Sequence, residues 1–168
     1  MTAILRSFGE LVTFLNQNGV PNGAVMGDHV VELPVTIPPL EDIVHVRWEK
    51  IVPYLQLICV MVRDVPPDRN HEVEIACCRA NNPITFPGFG FDYTRRSVYF
   101  RHTHVMSDGI EPAFLQKLVL SVASNARDFL VPFRRVVGEG QPGERIVDLA
   151  VEFAQANTPG TSQPRAKA

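Results

Sequence analysis

Apolar residues return at helical spacing near the start of the chain. Ile4, Leu5, Phe8, Leu11, Val12 and Leu15 share one stripe, which predicts a helix over residues 2–18 with Thr2 as cap and Gly19 as stop. The period then shortens. Residues 25–35 have strand character with a Gly27-Asp28 turn signal near their start, and Pro34, Pro38 and Pro39 are expected to break the chain. Over residues 43–49, Val44, Val46 and Trp48 alternate with His45, Arg47 and Glu49, the mark of a half-buried strand.

Residues 54–63 (YLQLICVMVR) behave differently. Leu55, Leu57, Cys59 and Met61 point one way and Ile58, Val60 and Val62 the other, so both faces are apolar. Such a strand is expected to need cover on both sides. Pro66-Pro67 ends it, and a helix follows to about Asn82 with Val73, Ala76, Cys77 and Ala80 on its inner stripe. Phe89 and Phe91, a turn at Arg95-Arg96 and a strand from Ser97 to Val105 read as a β-hairpin.

From Pro112, Leu115, Leu118, Val119, Val122, Ala126, Phe129 and Phe133 mark a long helix, with a kink or break expected at Pro132. After the GEGQPG linker, residues 144–156 predict an appended amphipathic helix through Ile146, Leu149 and Phe153. Residues 158–168 (TPGTSQPRAKA) are too poor in apolar groups to build a core and are expected to form a flexible tail. The order is helix, three strands, helix, two strands, helix, with one helix added. This predicts an α+β fold: an antiparallel sheet with helices on one face, in one domain over residues 1–157.

Composition narrows the classes of partner. A net charge of −2 leaves no electrostatic footprint for nucleic acid or an anionic membrane, and no apolar run approaches membrane-span length. The N-terminus lacks the continuous apolar core of a signal peptide, and three cysteines, two of them adjacent, make no disulfide framework. A cytoplasmic protein is the expectation.

Three groups could carry chemistry. His102 and His104 sit two apart on one strand face with Asp108 beyond, and His-x-His does occur in metal sites. None of His29, His45 and His71 stands in ligand spacing with them, so a structural role is expected and no metal. Cys77-Cys78 is not a CxxC pair, and small buried hydrophobes are the expected role. FPGFGFD lacks the spacing of a phosphate loop. Arg95, Arg96 and Arg101 form a small basic group that an anion could use. No catalytic residue and no cofactor are expected.

The stretch from Val62 to Val137 resembles the YbjN-like bacterial sensory-transduction regulators, whose domains share a fold with type III secretion chaperones. The elements carrying the resemblance are Val65-Pro66, a short helix ending near Asn81, the Phe89-Gly90-Phe91 hairpin, VYFRHTH from Val98 to His104, Asp108-Gly109, Pro112 and the long helix from Leu115. Glu111 before Pro112 and the helix after Gly143 depart from that pattern. The resemblance implies a non-enzymatic cytoplasmic domain, often dimeric, that works by binding other proteins. Combined with the doubly apolar strand, it points to a homodimer that also holds an unknown protein partner. Leu55, Leu57, Cys59 and Met61, with Ile146, Leu149 and Phe153, are the expected contact residues. The alternative is a small-ligand or metal-binding protein using His102 and His104 or the arginine group.

Overall fold

Hydrophobic periodicity becomes a two-layer α+β architecture. The computed structural model describes residues 4–25, 27, 29–49, 53–85 and 88–157. The elements are α1 (Phe8–Gln17), β1 (Gly23–Val25), β2 (Val30–Ile37), β3 (Leu40–Glu49), β4 (Tyr54–Val62), α2 (Asn70–Asn81), β5 (Phe89–Asp92), β6 (Ser97–Val105), α3 (Pro112–Gly138) and α4 (Ile146–Ala156). The six strands pair antiparallel in the order β1-β2-β3-β4-β6-β5.

Several boundaries moved for local reasons. Thr2 lies outside the described residues, and Ser7 caps α1 instead, its Oγ accepting from the Glu10 amide at 3.2 Å. The Glu10 carboxylate reaches back to accept from the Arg6 amide at 2.7 Å, one residue before the cap, so Ser7 and Glu10 together fix the entry of the chain into α1. The segment predicted as one strand near residue 25 is two, β1 and β2. Pro34 does not break β2, because β1 pairs only with Val30–Glu32 and leaves that side of Pro34 without a neighbouring strand. Likewise α3 continues through Pro132 to Gly138. The flexible tail expected at 158–168 lies outside the described residues.

One face of the sheet carries the core. Val31 and Leu33, then Val44, Val46 and Trp48, then Leu55, Leu57, Cys59 and Met61, then Val98 and Phe100 are all buried on it. Against them α3 presents Leu115, Val119, Val122, Ala126, Phe129 and Phe133, and α2 adds Val73, Ala76 and Ala80. The helix α4 joins this layer in the same chain, with Ile146 and Leu149 buried and Glu152 ion-paired to Arg135 of α3 at 3.1 Å.

Arg69, just before α2, secures the far end of α3. Its guanidinium donates to the Val136 carbonyl at 3.1 and 2.6 Å and to the Gln141 carbonyl at 2.9 Å. Val136 lies in the last turn of α3, where backbone acceptors lack partners within the helix, and Gln141 in the loop that follows. Arg69→Met keeps the aliphatic stem and removes the donors. It is expected to cost about 1.5–3 kcal/mol, read as a lower urea midpoint in the fluorescence of Trp48, the sole tryptophan.

Candidate functional site

The second face of the sheet is open. No helix of the described chain lies on it, and it carries Val30 and Glu32 of β2, His45 and Arg47 of β3, Gln56, Ile58 and Val60 of β4, and Tyr99, Arg101 and Thr103 of β6. Register places His45 beside Ile58 and Ile58 beside Arg101, with Tyr99 beside Val60. Ile58 and Val60 are half-buried. They line two shallow adjoining depressions with Arg95, one reaching Tyr99 and Arg101 and the other Val30, His45 and Arg47. Long neighbours therefore shield the middle of the strand, their apolar stems lying along it while their charges stay in water. Both signs of charge are present: Arg47 pairs with Glu49 at 2.7 Å, and His45 lies 3.6 Å from Glu32.

This geometry corrects the expected contact residues. Leu55, Leu57 and Cys59 are fully buried and Met61 is 3% exposed, all beneath the helices, so they cannot meet a partner in the folded chain. Ile146 and Leu149 are equally inaccessible within the helix layer, and Phe153 is half-buried there. The expected second cover for β4 is also not supplied by α4, which packs on α2 and α3. The apolar residues left accessible on β4 are Ile58 and Val60.

The arginine group divides. Arg96 adopts a positive φ of 48°, and its guanidinium donates to the Val65 carbonyl, with Nε at 2.7 Å, while the Val65 amide donates to the Arg96 carbonyl at 2.9 Å. It ties the β5–β6 turn to the loop after β4. Arg95 and Arg101 share one depression on the open face, where the Arg101 guanidinium lies 5.6 Å from the centre of the Tyr99 ring.

His102 and His104 lie on the helix-facing side of β6, beyond Phe100. They line a cleft of about 760 Å³ with Pro83, Ile84, Thr85, Phe114, Leu118, Ser121 and Asn125. His104 meets Phe114 edge-on, with ring centres 5.0 Å apart. Asp108 is elsewhere, lining a separate cavity with Arg6, Trp48 and Gly109. Among the described residues no three His, Cys, Asp or Glu side chains could jointly hold a metal ion. Burial, then the neighbouring His104, pushes the His102 pKa below its ordinary 6.5.

That shift has a sign. Between the folded value and 6.5 the unfolded chain binds a proton that the folded chain refuses, so stability is fully present above pH 6.5 and declines as pH falls toward the folded value. His102→Phe is expected to flatten that acid-side decline. Urea midpoints measured at steps from pH 7.5 to 5 would show an unchanged slope if His102 were not its source.

The cysteines offer no thiolate inside the fold. Burial pushes Cys59 and Cys77 up to about 12, whereas Cys78 is exposed. No helix among the described residues is long and apolar enough to cross a membrane.

The fold is of the mixed α+β class, with a six-stranded antiparallel sheet and its helices on one face. No family model matches the chain, and no curated protein matches it. Among solved structures it is similar to YbjN, a proposed transcription regulator from E. coli, at a TM-score of 0.52 and 7% sequence identity, over 74% of this chain and 89% of that one. At such low identity the likeness is one of fold.

Proposed function

We propose that this chain is a non-enzymatic, YbjN-like binding domain of the cytoplasm with a regulatory or chaperone-like role. It acts as a homodimer that joins open sheet face to open sheet face and holds a further protein partner. The observation carrying this reading is the helix-free face, with Ile58 and Val60 at its centre and Arg47, Arg95 and Arg101 around them. Two features favour a second copy as the first occupant. Four long strands at ~4.8 Å spacing and ~3.3 Å rise make a face roughly 20 by 26 Å, on the scale of one side of a standard interface. Glu32 and Glu49 share that face with the arginines, so a two-fold axis can set acids against bases without a differently charged partner.

The scattered chemistry agrees with a binding role: His102 and His104 stand apart from Asp108, and two of the three thiols are buried and protonated. The fold likeness to a proposed transcription regulator supports regulation as the use of that binding.

Light scattering on the wild type at micromolar concentration is expected to give twice the chain mass. Val60→Glu is expected to give a folded monomer, since it plants unpaired carboxylates at the centre of the joint. A wild type that stays monomeric would leave the face to solvent and end the dimer proposal.

A further inference from the structure

One stripe of α3 changes character along its length. Phe129 and Phe133 both pack against Phe89, at 4.8 and 5.5 Å between ring centres, and Phe89 meets Phe100 at 4.8 Å. Those four rings fill the gap between helix and sheet. One and two turns earlier the same stripe presents Asn125 and Ser121, then Leu118 and Phe114. Opposite them β6 offers His102 and His104 instead of large apolar groups. Small polar side chains cannot span a gap sized for aromatic rings, so the layers stand apart and leave the cleft of about 760 Å³.

Its walls come from three independent elements. The strand supplies Phe100 as floor with the two imidazoles. The helix supplies Phe114, Leu118, Ser121 and Asn125. The loop after α2 supplies Pro83, Ile84 and Thr85. That loop is held by Asn81, whose Oδ1 accepts from the Gly88 and Phe89 amides at 2.9 Å each and whose Nδ2 donates to the Phe89 carbonyl at 3.0 Å.

We propose that this cleft binds a small uncharged molecule built on a planar heteroaromatic ring, with Phe114 and the aliphatic Leu118 and Ile84 packing on the ring above the Phe100 floor and the imidazoles, Thr85, Ser121 and Asn125 pairing with its edge. The volume falls in the range of ordinary ligand sites, which combine apolar walls with a few convergent polar groups. Among the described residues no Lys, Arg, Asp or Glu lines it, so a charged ligand would leave water without a compensating partner. A planar ring suits aromatic walls, where offset or edge-on packing is favoured. Asn125 Nδ2 already donates to the Ser121 carbonyl at 2.8 Å, which holds the amide in place on the helix. Burial, then the neighbouring His104, holds the His102 pKa below its ordinary value and so favours the uncharged ring in a cleft suited to an uncharged ligand. The cleft lies on the helix side of the sheet, opposite the proposed dimer face, and its occupancy does not depend on assembly.

The probes are adenosine and nicotinamide, uncharged rings with donors and acceptors on their edges, set against benzoate and zinc chloride. Titrations of the intact protein would be followed through the imidazole proton resonances of His102 and His104. Adenosine or nicotinamide is expected to shift both saturably at up to about 10 mM, the range of fragment affinities. Ser121→Trp, at an exposed position that tolerates bulk, is expected to fill the cleft and weaken binding at least about tenfold. His102→Phe keeps the ring shape, removes its hydrogen bonds and should weaken binding as well. Saturation by neither neutral ring, unchanged affinity in Ser121→Trp, or tighter binding of benzoate or zinc than of either ring would each overturn the proposal.

Discussion

Leu57→Ala is expected to lower the free energy of unfolding by about 2–5 kcal/mol, whereas Ile58→Ala next to it should lower it by under about 1 kcal/mol. The two side chains are adjacent on β4 and similar in chemistry. Leu57 is fully buried on the helix-facing side and lies beside Val46 and His102 in the neighbouring strands. Its removal leaves a cavity that close-packed helices can only partly collapse into. Ile58 points to the open face and remains half accessible, so its loss there exposes little that was dry. Urea denaturation followed by Trp48 fluorescence, at a protein concentration where both variants are monomeric, separates the two values. Equal losses at the two sites would mean that the open face is covered within the chain itself. For the dimer proposed above the order of importance reverses: Ile58→Ala, not Leu57→Ala, should alter subunit affinity.

The second large effect belongs to a glycine. A Cβ built on Gly88 would stand 2.0 Å from the Arg101 carbonyl oxygen and 3.2 Å from the Phe100 ring. The reason is the bond from the Arg101 amide to the Gly88 carbonyl at 2.9 Å, which draws the two backbones together just before β5. Neither backbone can give way without losing that bond and the clamp by Asn81. Gly88→Ala is therefore expected to destabilise by about 2–4 kcal/mol, more than ordinary overpacking because the obstacle is main chain. It should also displace the loop wall of the His102–His104 cleft. Thermal unfolding of the variant beside Gly90→Ala would isolate the effect. At Gly90 the new methyl meets the Tyr99 ring, whose hydroxyl lies 2.5 Å from the built Cβ and which can swing away on the open face. A Gly88→Ala protein melting with the wild type would show that this approach is not tight in solution.

Much of the architecture was legible because period and punctuation agree. The β5–β6 hairpin, α2 and α3 fall where alternation, proline and glycine signals place them. At Pro132 the helix runs on, so the expected break is absent. Pro34 carries a strong breaking signal, but what a proline costs in a sheet depends on whether a strand faces the missing amide, and none does there. The contact surface was misread for a similar reason. Strand β4 shows apolar residues on both sides, and larger ones on the face that turned out to be core. The side chains that shade Ile58 and Val60, namely His45, Arg47, Tyr99 and Arg101, come from other strands. One clue lay in β3, where His45 and Arg47 alternate with buried Val44 and Val46; the residues paired with that polar side belong to the open face. Using it requires the register, which pairing creates. The cleft was half visible as His102 and His104, while Thr85, Ser121 and Asn125 carry no motif and gain meaning only from standing opposite them.

By itself the amino-acid order determined the kind and succession of elements and which residues of most strands and helices turn inward. Those properties follow from local sterics and from the period at which side chains share a face. Tertiary structure alone decided which side of β4 the helices cover, how Arg96 leaves Arg95 and Arg101, and that Asp108 stands away from the histidines. Such choices depend on groups far apart in the chain meeting at a few ångströms, and pairwise packing of that range leaves no mark in the order of residues on either side.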